Sequence, residues 1–323
     1  MIDNIEKLLK TVALSFSEEQ REQLNRIMSF AGTSLQEDLI DHFDKQRFIV
    51  TDGELLVYHH NPSGSDENKT LIFVPGWGAN LNSFRDCYAS LINRVEIYHI
   101  ETREKSSSRI DINHTNMSVE QNAHDIAAVL RAINIRRTDD YLIAETCWGS
   151  TILLQGLIEN LYPPVPFILF DPMHALWFPK WLLKWIIPFT PVWLAKVIRP
   201  VAKKIALRGM KETVQRRRTA EFIDDGDLKK WKAAAVQARA FELMGHLSAI
   251  DSNVTIVNGT TDKIHDQRYY PLLASEIPDS NYLYMQTDES KRERLIGKVL
   301  YEFASSENSI GIPDDLKIFQ KRL

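Results

Sequence analysis

The stretch from Tyr141 to Leu154 reads Tyr-Leu-Ile-Ala-Glu-Thr-Cys-Trp-Gly-Ser-Thr-Ile-Leu-Leu, and it decides the fold of this chain. The apolar run at its start predicts a buried strand, and the run after Gly149 predicts a helix. The pattern places one sharp turn between them, with Cys147 at its tip. This is the layout of a nucleophile elbow, in which a strained strand-to-helix turn lifts one side chain above the sheet.

The bulk composition is that of an ordinary globular protein. The 323 residues are 44% hydrophobic and 25% charged, with a formal net charge of −4. This mild acidity argues against nucleic acid as a partner, because nucleic-acid-binding domains carry a basic field. The two cysteines, Cys87 and Cys147, imply no disulfide framework, so the cytoplasm is the expected compartment. The N-terminus does not resemble a secretory signal, and no stretch reaches the roughly 20 apolar residues of a spanning helix.

Short apolar runs alternate with helical patterns along most of the chain. We predict strands at Arg47–Val50, Glu54–His59, Thr70–Pro75, Val95–Ile100, Tyr141–Ala144, Pro166–Phe170, Asn253–Val257 and Asn281–Met285. The clearest helical patterns are Ser118–Asn134, Gly149–Asn160 and Ser290–Phe303. Continuous apolar strands separated by helices indicate an α/β fold with a mainly parallel central sheet and helices on both faces.

The alternation also predicts the domain organisation. Residues 1–45 form an N-terminal helical extension, and residues 46–171 and 252–305 form the core. Residues 172–251 show no strand pattern, which predicts a helical insertion that covers the sheet as a cap. Residues 306–323 are a C-terminal tail.

Two further motifs accompany the elbow. Residues 71–80 read Leu-Ile-Phe-Val-Pro-Gly-Trp-Gly-Ala-Asn, and residues 254–262 read Val-Thr-Ile-Val-Asn-Gly-Thr-Thr-Asp. With the elbow, they resemble the α/β-hydrolase superfamily over residues 47–303. The first is similar to that family's oxyanion-hole loop, and the second to the place of its acid. The cysteine elbow looks like those of polyhydroxyalkanoate synthases and dienelactone hydrolases.

This resemblance implies acyl chemistry at Cys147. A thiolate is a good nucleophile, and the start of a helix favours negative charge. The fold would supply oxyanion donors from the backbone N–H groups of Trp148 and Trp77. The alternatives are that Cys147 is a small buried residue in a tight turn, and that both tryptophans pack in the core.

The acid and the base are less well defined. The resemblance implies that Asp262 orients a histidine, but the loop after the last predicted strand contains none. His265, three residues past Asp262, is the first candidate for a relocated base, and the next are His174, His246 and His99. Glu145 stands where the family usually has glycine, and a carboxylate there would disfavour the thiolate. The charge run Glu101–Lys105 is interpreted as a solvated surface.

The predicted insertion carries a tryptophan-rich, basic segment. Residues 177–218 contain eleven Lys or Arg and one acid, Glu212. Trp177, Trp181 and Trp185 recur every four residues and would share one helix face. Such a segment either lines an acyl pocket beneath the cap or also lies on a membrane surface.

The sequence therefore favours an acyl-transfer enzyme, either a thioesterase-like or esterase-like hydrolase or an acyltransferase. Its substrate would be a hydrophobic ester or thioester, attacked by Cys147. The alternative is an inactive pseudo-hydrolase that binds a lipid-like ligand, a protein partner or a membrane surface, since fold does not dictate function. The sequence predicts neither a cofactor nor a metal site.

Overall fold

The structure is a computed structural model. It describes residues 16–29, 38–62, 69–92, 94–112, 115–134, 141–176, 179–208, 210, 213–260, 267–306 and 311–323. Of the predicted N-terminal helical extension, residues 1–15 and 30–37 lie outside these ranges. The segment of residues 261–266, which contains Asp262 and His265, also lies outside them, as does Trp177.

The described residues contain one sheet. Its strands are β1 (Asp44–Val50), β2 (Gly53–His60), β3 (Thr70–Val74), β4 (Glu96–Ile100), β5 (Arg109–Ile110), β6 (Tyr141–Thr146), β7 (Phe167–Phe170), β8 (Val254–Thr260) and β9 (Asn281–Thr287). The order is β1-β2-β4-β3-β6-β7-β8-β9, with the short β5 paired to β2. β1 and β2 are antiparallel to their neighbours, while β4, β3, β6, β7, β8 and β9 run parallel. The carboxyl ends of β3, β6, β7 and β8 therefore meet at one edge.

The described α-helices lie between and beyond these strands. They are α1 (Glu18–Ser29), α2 (Arg85–Tyr88), α3 (Val119–Ile133), α4 (Trp148–Ile158), α5 (Lys180–Trp185), α6 (Val192–Ala206), α7 (Thr213–Asp225), α8 (Leu228–Gln237), α9 (Tyr269–Glu276), α10 (Arg292–Ser305) and α11 (Asp314–Lys317). Two apolar layers cover the two faces of the sheet. Ile143 and Leu153 belong to one layer, and Ala144 and Leu295 belong to the other. Alternate residues of β6 thus pack on opposite faces, which confirms the predicted sheet covered on both sides.

Every predicted strand is present, with shifted ends. β1 and β2 pair across a turn at Asp52, whose φ is 61°. The two-residue strand β5 was not predicted, because two residues carry no periodic signal. Between β7 and β8 the described residues form helices α5 to α8 and short 3-10 turns.

The charge run Glu101–Lys105 is buried, so its interpretation as a solvated surface is wrong. Arg103 is fully buried and donates from Nε to the carboxylate of Asp125 on α3. Glu101 accepts from His99 Nε2 at 3.2 Å. The charges neutralise one another inside the protein, which is what permits their burial. Asp125 lies 22 residues from Arg103, and a pairing this distant cannot be seen in the run itself.

The two ends of the described chain pack together. Gln20 on α1 donates from Nε2 to the carbonyl oxygen of Ile318 at 2.8 Å, and Gln23 donates to the carbonyl oxygen of Asp315 at 3.0 Å. Phe319 is fully buried in the layer that also contains Leu295. The segment predicted as a tail therefore contributes a core side chain. Among the described residues, no helix is both long enough and apolar enough to cross a bilayer.

Candidate active site

Cys147 lies at the tip of a strained elbow. Its φ of 57° and ψ of −113° lie in a region that non-glycine residues rarely occupy. The Cys147 N–H donates to the carbonyl oxygen of Phe170 at 3.0 Å, which ties the turn to the end of β7. At Gly149 a Cβ atom would lie 2.5 Å from the carbonyl oxygen of Val74, so only glycine lets α4 approach β3 this closely. The predicted elbow is therefore present, with α4 beginning directly after Cys147.

A loop after β3 faces the elbow and is held by three hydrogen bonds. The Gly76 N–H donates to Thr146 Oγ1 at 3.2 Å, and the Ala79 N–H donates to the Gly76 carbonyl oxygen at 3.2 Å. The buried ammonium of Lys105 donates to the same carbonyl oxygen. Gly78, with a φ of 65°, makes the turn. Lys105 thus holds this loop in place, and sequence reasoning missed it because it belongs to the charge run assigned to the surface.

The structure brings Trp77 and Trp148 together beside Cys147. Their rings meet edge to face, with centroids 5.4 Å apart and an interplanar angle of 71°. Neither backbone N–H donates to a described residue. Two unused N–H groups near an elbow side chain are the arrangement that stabilises an oxyanion. The Trp148 ring is also buried in the core, so the two interpretations offered for it are compatible.

An apolar cavity of about 460 Å³ lies in front of Cys147. Its walls come from the elbow, from the loop after β3 and from the inserted helices: Trp77, Cys147, Trp148, Met173, Leu176, Ile187, Thr190, Val192, Ala195, Phe222, Leu228, Trp231, Lys232 and Ala235. The Cys147 thiol contacts the thioether sulfur of Met173 at 3.2 Å. The cavity is large enough for an acyl chain of moderate length, since ligand pockets begin at about 300 Å³.

Asp171 and Arg292 form an ion pair at the same edge of the sheet. Asp171 follows β7 with a φ of 50° and accepts from the Gly259 N–H at 3.1 Å. Arg292, the first residue of α10, donates from Nε to Asp171 Oδ2 at 2.9 Å. Burial alone would lower the pKa of the Arg292 guanidinium, but the carboxylates of Asp171 and Glu293 outweigh burial and raise it. Its Nη2 has no hydrogen-bond partner among the described residues.

Sequence reasoning found neither member of this pair. Asp171 carried a weak signal, because it directly follows a predicted strand, as active-site acids often do. Arg292 carried none, since a basic residue at the start of a helical pattern is usually solvated. The thiolate form of Cys147 contributes to the raised pKa of Arg292, so the guanidinium lies within electrostatic reach of the elbow.

Glu145 is fully buried beside the elbow. Burial raises its pKa well above the ordinary value, and the Cys147 thiolate raises it further, while Arg292 acts in the opposite direction. Neither carboxyl oxygen has a hydrogen-bond partner among the described residues. The nearby Ser150 hydroxyl donates to the carbonyl oxygen of Cys147 instead. Burial and the nearby thiolate thus disfavour the charged form of Glu145, which reduces the repulsion expected from a carboxylate at this position.

Three of the candidate histidines, His99, His174 and His246, lie among the described residues. His99 is fully buried between Tyr88 and Glu101, and burial lowers its pKa. His174 bonds through Nδ1 to Glu242 Oε1 at 2.5 Å, and its ring lies 4.1 Å from that of Tyr269. The exposed His246 lines a different cavity, between α3 and the inserted segment. Asp262 and His265 lie outside the described residues and keep the status of predictions.

Trp181 and Trp185 are more than half exposed, at 62% and 61%. Neither lines the cavity in front of Cys147, whose inserted wall comes from Met173, Leu176 and residues from Ile187 onward. The pocket-lining interpretation therefore does not hold for these two tryptophans. Trp177 lies outside the described residues.

Comparison with solved structures identifies the fold. The chain superimposes on a hydrolase from Pseudomonas aeruginosa with a TM-score of 0.64 at 14% identity, covering 80% of this chain and 97% of the other. An esterase from Exiguobacterium antarcticum gives 0.66 at 16% identity, covering 81% and 100%. The enol-lactonase from Burkholderia xenovorans gives 0.63 at 14% identity, covering 81% and 100%. The protein thus has the α/β-hydrolase fold, as the sequence motifs predicted.

No protein-family model and no curated protein matches the chain. At identities of 14–16%, the structural likeness establishes the fold and leaves the activity to be argued from the site itself.

Proposed function

We propose that this protein is an acyl-transfer enzyme that attacks hydrophobic esters or thioesters with Cys147. One observation carries the proposal. A thiol on a strained elbow contacts an apolar cavity, beside two backbone N–H groups, of Trp77 and Trp148, that donate to no described residue. A backbone donor without a protein partner is satisfied by a ligand or by a water molecule. The pair therefore favours a developing oxyanion as the natural acceptor.

The chemistry follows from this geometry. The Cys147 thiolate attacks the carbonyl carbon and forms a carbon–sulfur bond, and the carbonyl π electrons move to the oxygen. The N–H groups of Trp77 and Trp148 stabilise that oxygen. Collapse of the intermediate expels the alkoxide or thiolate leaving group, which takes up a proton, and leaves a thioester on Cys147. Attack by water then releases the acid, or attack by an acceptor alcohol or thiol completes a transfer.

For the base we propose His265, and we propose that Asp262 orients it. Both follow β8, whose carboxyl end lies at the same edge of the sheet as that of β6. A histidine from this loop would accept the thiol proton and later deliver it to the leaving group. Arg292 would support the same step, because its positive charge attracts the thiolate.

A second function is favoured by one specific observation. After β9, where the resembling family has its histidine, α10 begins with Arg292, which is bound to Asp171. A site organised in this way could bind an apolar ligand in the cavity without catalysing a reaction of it. In that case the protein would be a binding protein with a hydrolase fold.

Trapping of the acyl-enzyme separates the two functions. The full chain is mixed with p-nitrophenyl octanoate or an octanoyl thioester, quenched in acid, and analysed by intact-mass and peptide mass spectrometry. We expect one octanoyl group on Cys147, none in Cys147→Ala, and an unchanged yield in Cys87→Ala, the buried control cysteine. Octanoate-dependent quenching of tryptophan fluorescence without any acylation would support the binding protein and overturn the enzyme.

The base is tested with His265→Ala. Nucleophile and base act as a unit, so this variant should lose about as much turnover as Cys147→Ala. The matched control is His246→Ala, because His246 is exposed and lines another cavity. Full activity in His265→Ala would remove His265 from the mechanism while leaving the Cys147 acylation test intact.

A further inference from the structure

One segment of the insertion exposes an unusual amount of apolar surface. The described residues include eleven exposed large apolar side chains, and nine of them lie between residues 181 and 205. We call these nine the exposed apolar face: Trp181, Trp185, Ile186, Phe189, Trp193, Val197, Ile198, Val201 and Ile205. Concentration of exposed apolar groups in one segment marks an interaction surface, whereas scattered single residues do not.

The same segment is uniformly basic. No Asp or Glu occurs between Pro172 and Lys211, although the whole chain carries a net charge of −4. The side chains of Lys180, Lys184, Lys196 and Lys204 are exposed. Arg199 and Lys203, by contrast, reach inward to bonds on α7 and the turn after it. Four lysines are therefore left in water around the exposed apolar face.

Helix α6 has two different sides. Trp193, Val197, Val201 and Ile205 recur every four residues and lie along one exposed side. Val192 and Ala195, on the other side, line the cavity that contains Cys147. Helix α6 therefore forms a wall between this cavity and the exposed surface of the protein.

We propose that the exposed apolar face docks onto the surface of an anionic lipid bilayer. Tryptophans and aliphatic side chains flanked by lysines are the composition of helices that lie in the interface. The lysines would face anionic headgroups, and no carboxylate in the segment would oppose them. A second copy of the chain is a poorer occupant, because a symmetric contact would bring the same lysines face to face.

Docking would also place the cavity next to lipid. Because α6 lines the cavity with its inner side, docking would leave this helix between the bilayer and the cavity that contains Cys147. The docking itself does not rest on the proposed acyl-transfer function.

The test uses the full chain and two kinds of vesicle. One contains phosphatidylcholine mixed with anionic phosphatidylglycerol, and the other contains phosphatidylcholine alone. We expect co-sedimentation with the anionic vesicles at low salt, weaker binding to the neutral ones, and loss of the difference at high salt. The double variant Trp193→Ser, Val197→Ser should bind roughly tenfold more weakly or worse. Ile49→Ser, which changes an even more exposed apolar residue on β1, should bind normally.

Charge and chemistry have separate controls. Lys196→Glu with Lys204→Glu should abolish the preference for anionic vesicles, while Lys45→Glu, an exposed lysine on β1, should not. Cys147→Ala should bind like the unmodified chain, so failure of the acyl assay leaves docking unaffected. Absence of binding to both vesicle types at low salt would overturn the proposal. A concentration-dependent dimer that Trp193→Ser dissociates would also overturn it, in favour of self-association.

Discussion

The guanidinium of Arg292 donates from Nε to Asp171 Oδ2 at 2.9 Å, at the edge of the sheet where Cys147 also lies. The Asp171 side chain is 1% exposed and that of Arg292 is 13% exposed. Removal of one member of a buried ion pair leaves an uncompensated charge in a poorly solvated place. We therefore expect this ion pair to contribute to the stability of the folded protein, which unfolding experiments can measure.

Arg292→Gln should lower the free energy of unfolding by about 3–5 kcal/mol, because it strands the Asp171 carboxylate. Urea denaturation measures this. The control is Arg109→Gln, since Arg109 pairs with Glu54 while 68% exposed. Surface pairs contribute roughly 0–1 kcal/mol, so the control should change little. Equal, small losses in the two variants would show that Asp171 is not desolvated.

Lys105→Met should slow acyl transfer by roughly tenfold to a hundredfold, with little change in KM. The Lys105 ammonium donates to the Gly76 carbonyl oxygen, next to the Trp77 N–H, so its loss should misplace an oxyanion donor without changing the cavity. Steady-state kinetics with a soluble octanoyl ester measures the two parameters. Lys45→Met, an exposed lysine on β1, should leave both unchanged. A rise in KM at constant kcat would place Lys105 in substrate binding instead.

Gly78→Ala and Gly245→Ala form a matched pair. Both glycines have positive φ, 65° and 89°, so each substitution incurs a backbone penalty of about 1–2 kcal/mol. A Cβ at Gly78 would also overlap the rings of Phe222 and Trp231, whereas one at Gly245 would have nothing within 4 Å. Thermal and urea unfolding should therefore show a clearly larger loss for Gly78→Ala. Indistinguishable losses would mean that α7 and α8 do not pack against this loop.

The buried Glu145 should make stability depend on pH. Its pKa is raised in the folded protein, so the folded state binds more protons than the unfolded state once the pH exceeds the ordinary carboxyl pKa. The stability present at low pH is then lost as the pH rises through the folded pKa, by about 1.4 kcal/mol for each pH unit that separates the folded pKa from the unfolded pKa. Glu145→Gln should remove this decline, as followed by urea unfolding from pH 4 upward. Glu18→Gln, an exposed control, should leave the decline in place; a curve unaltered by Glu145→Gln would mean that the acid is solvated.

Local pattern was sufficient for the fold and for the elbow at Cys147. The apolar runs predicted every long strand, and the residues around Cys147 predicted the elbow because the strain and the close helix approach are properties of adjacent residues. The motif at residues 71–80 likewise predicted the loop of Trp77, whose backbone N–H donates to no described residue.

The remainder of the site depends on contacts between distant residues. Asp171 and Arg292 are 121 residues apart, and Arg103 and Asp125 are 22 apart, so neither pairing appears in a local pattern. Without its partner, a charged residue is assigned to the surface by default. The same default hid Lys105, whose acceptor is the backbone of Gly76, 29 residues away.

Two lysines connect the insertion to the elbow. Lys230 on α8 donates to the carbonyl oxygens of Lys105, at 2.8 Å, and Ser108, at 2.5 Å, and Lys105 in turn donates to Gly76. Hydrogen bonds from the ammonium groups of Lys230 and Lys105 therefore link the inserted helices to the loop of Trp77. A displacement of α8 must either break this connection or carry the loop with it. The position of the loop beside Cys147 is in this way tied to the position of the helices above it.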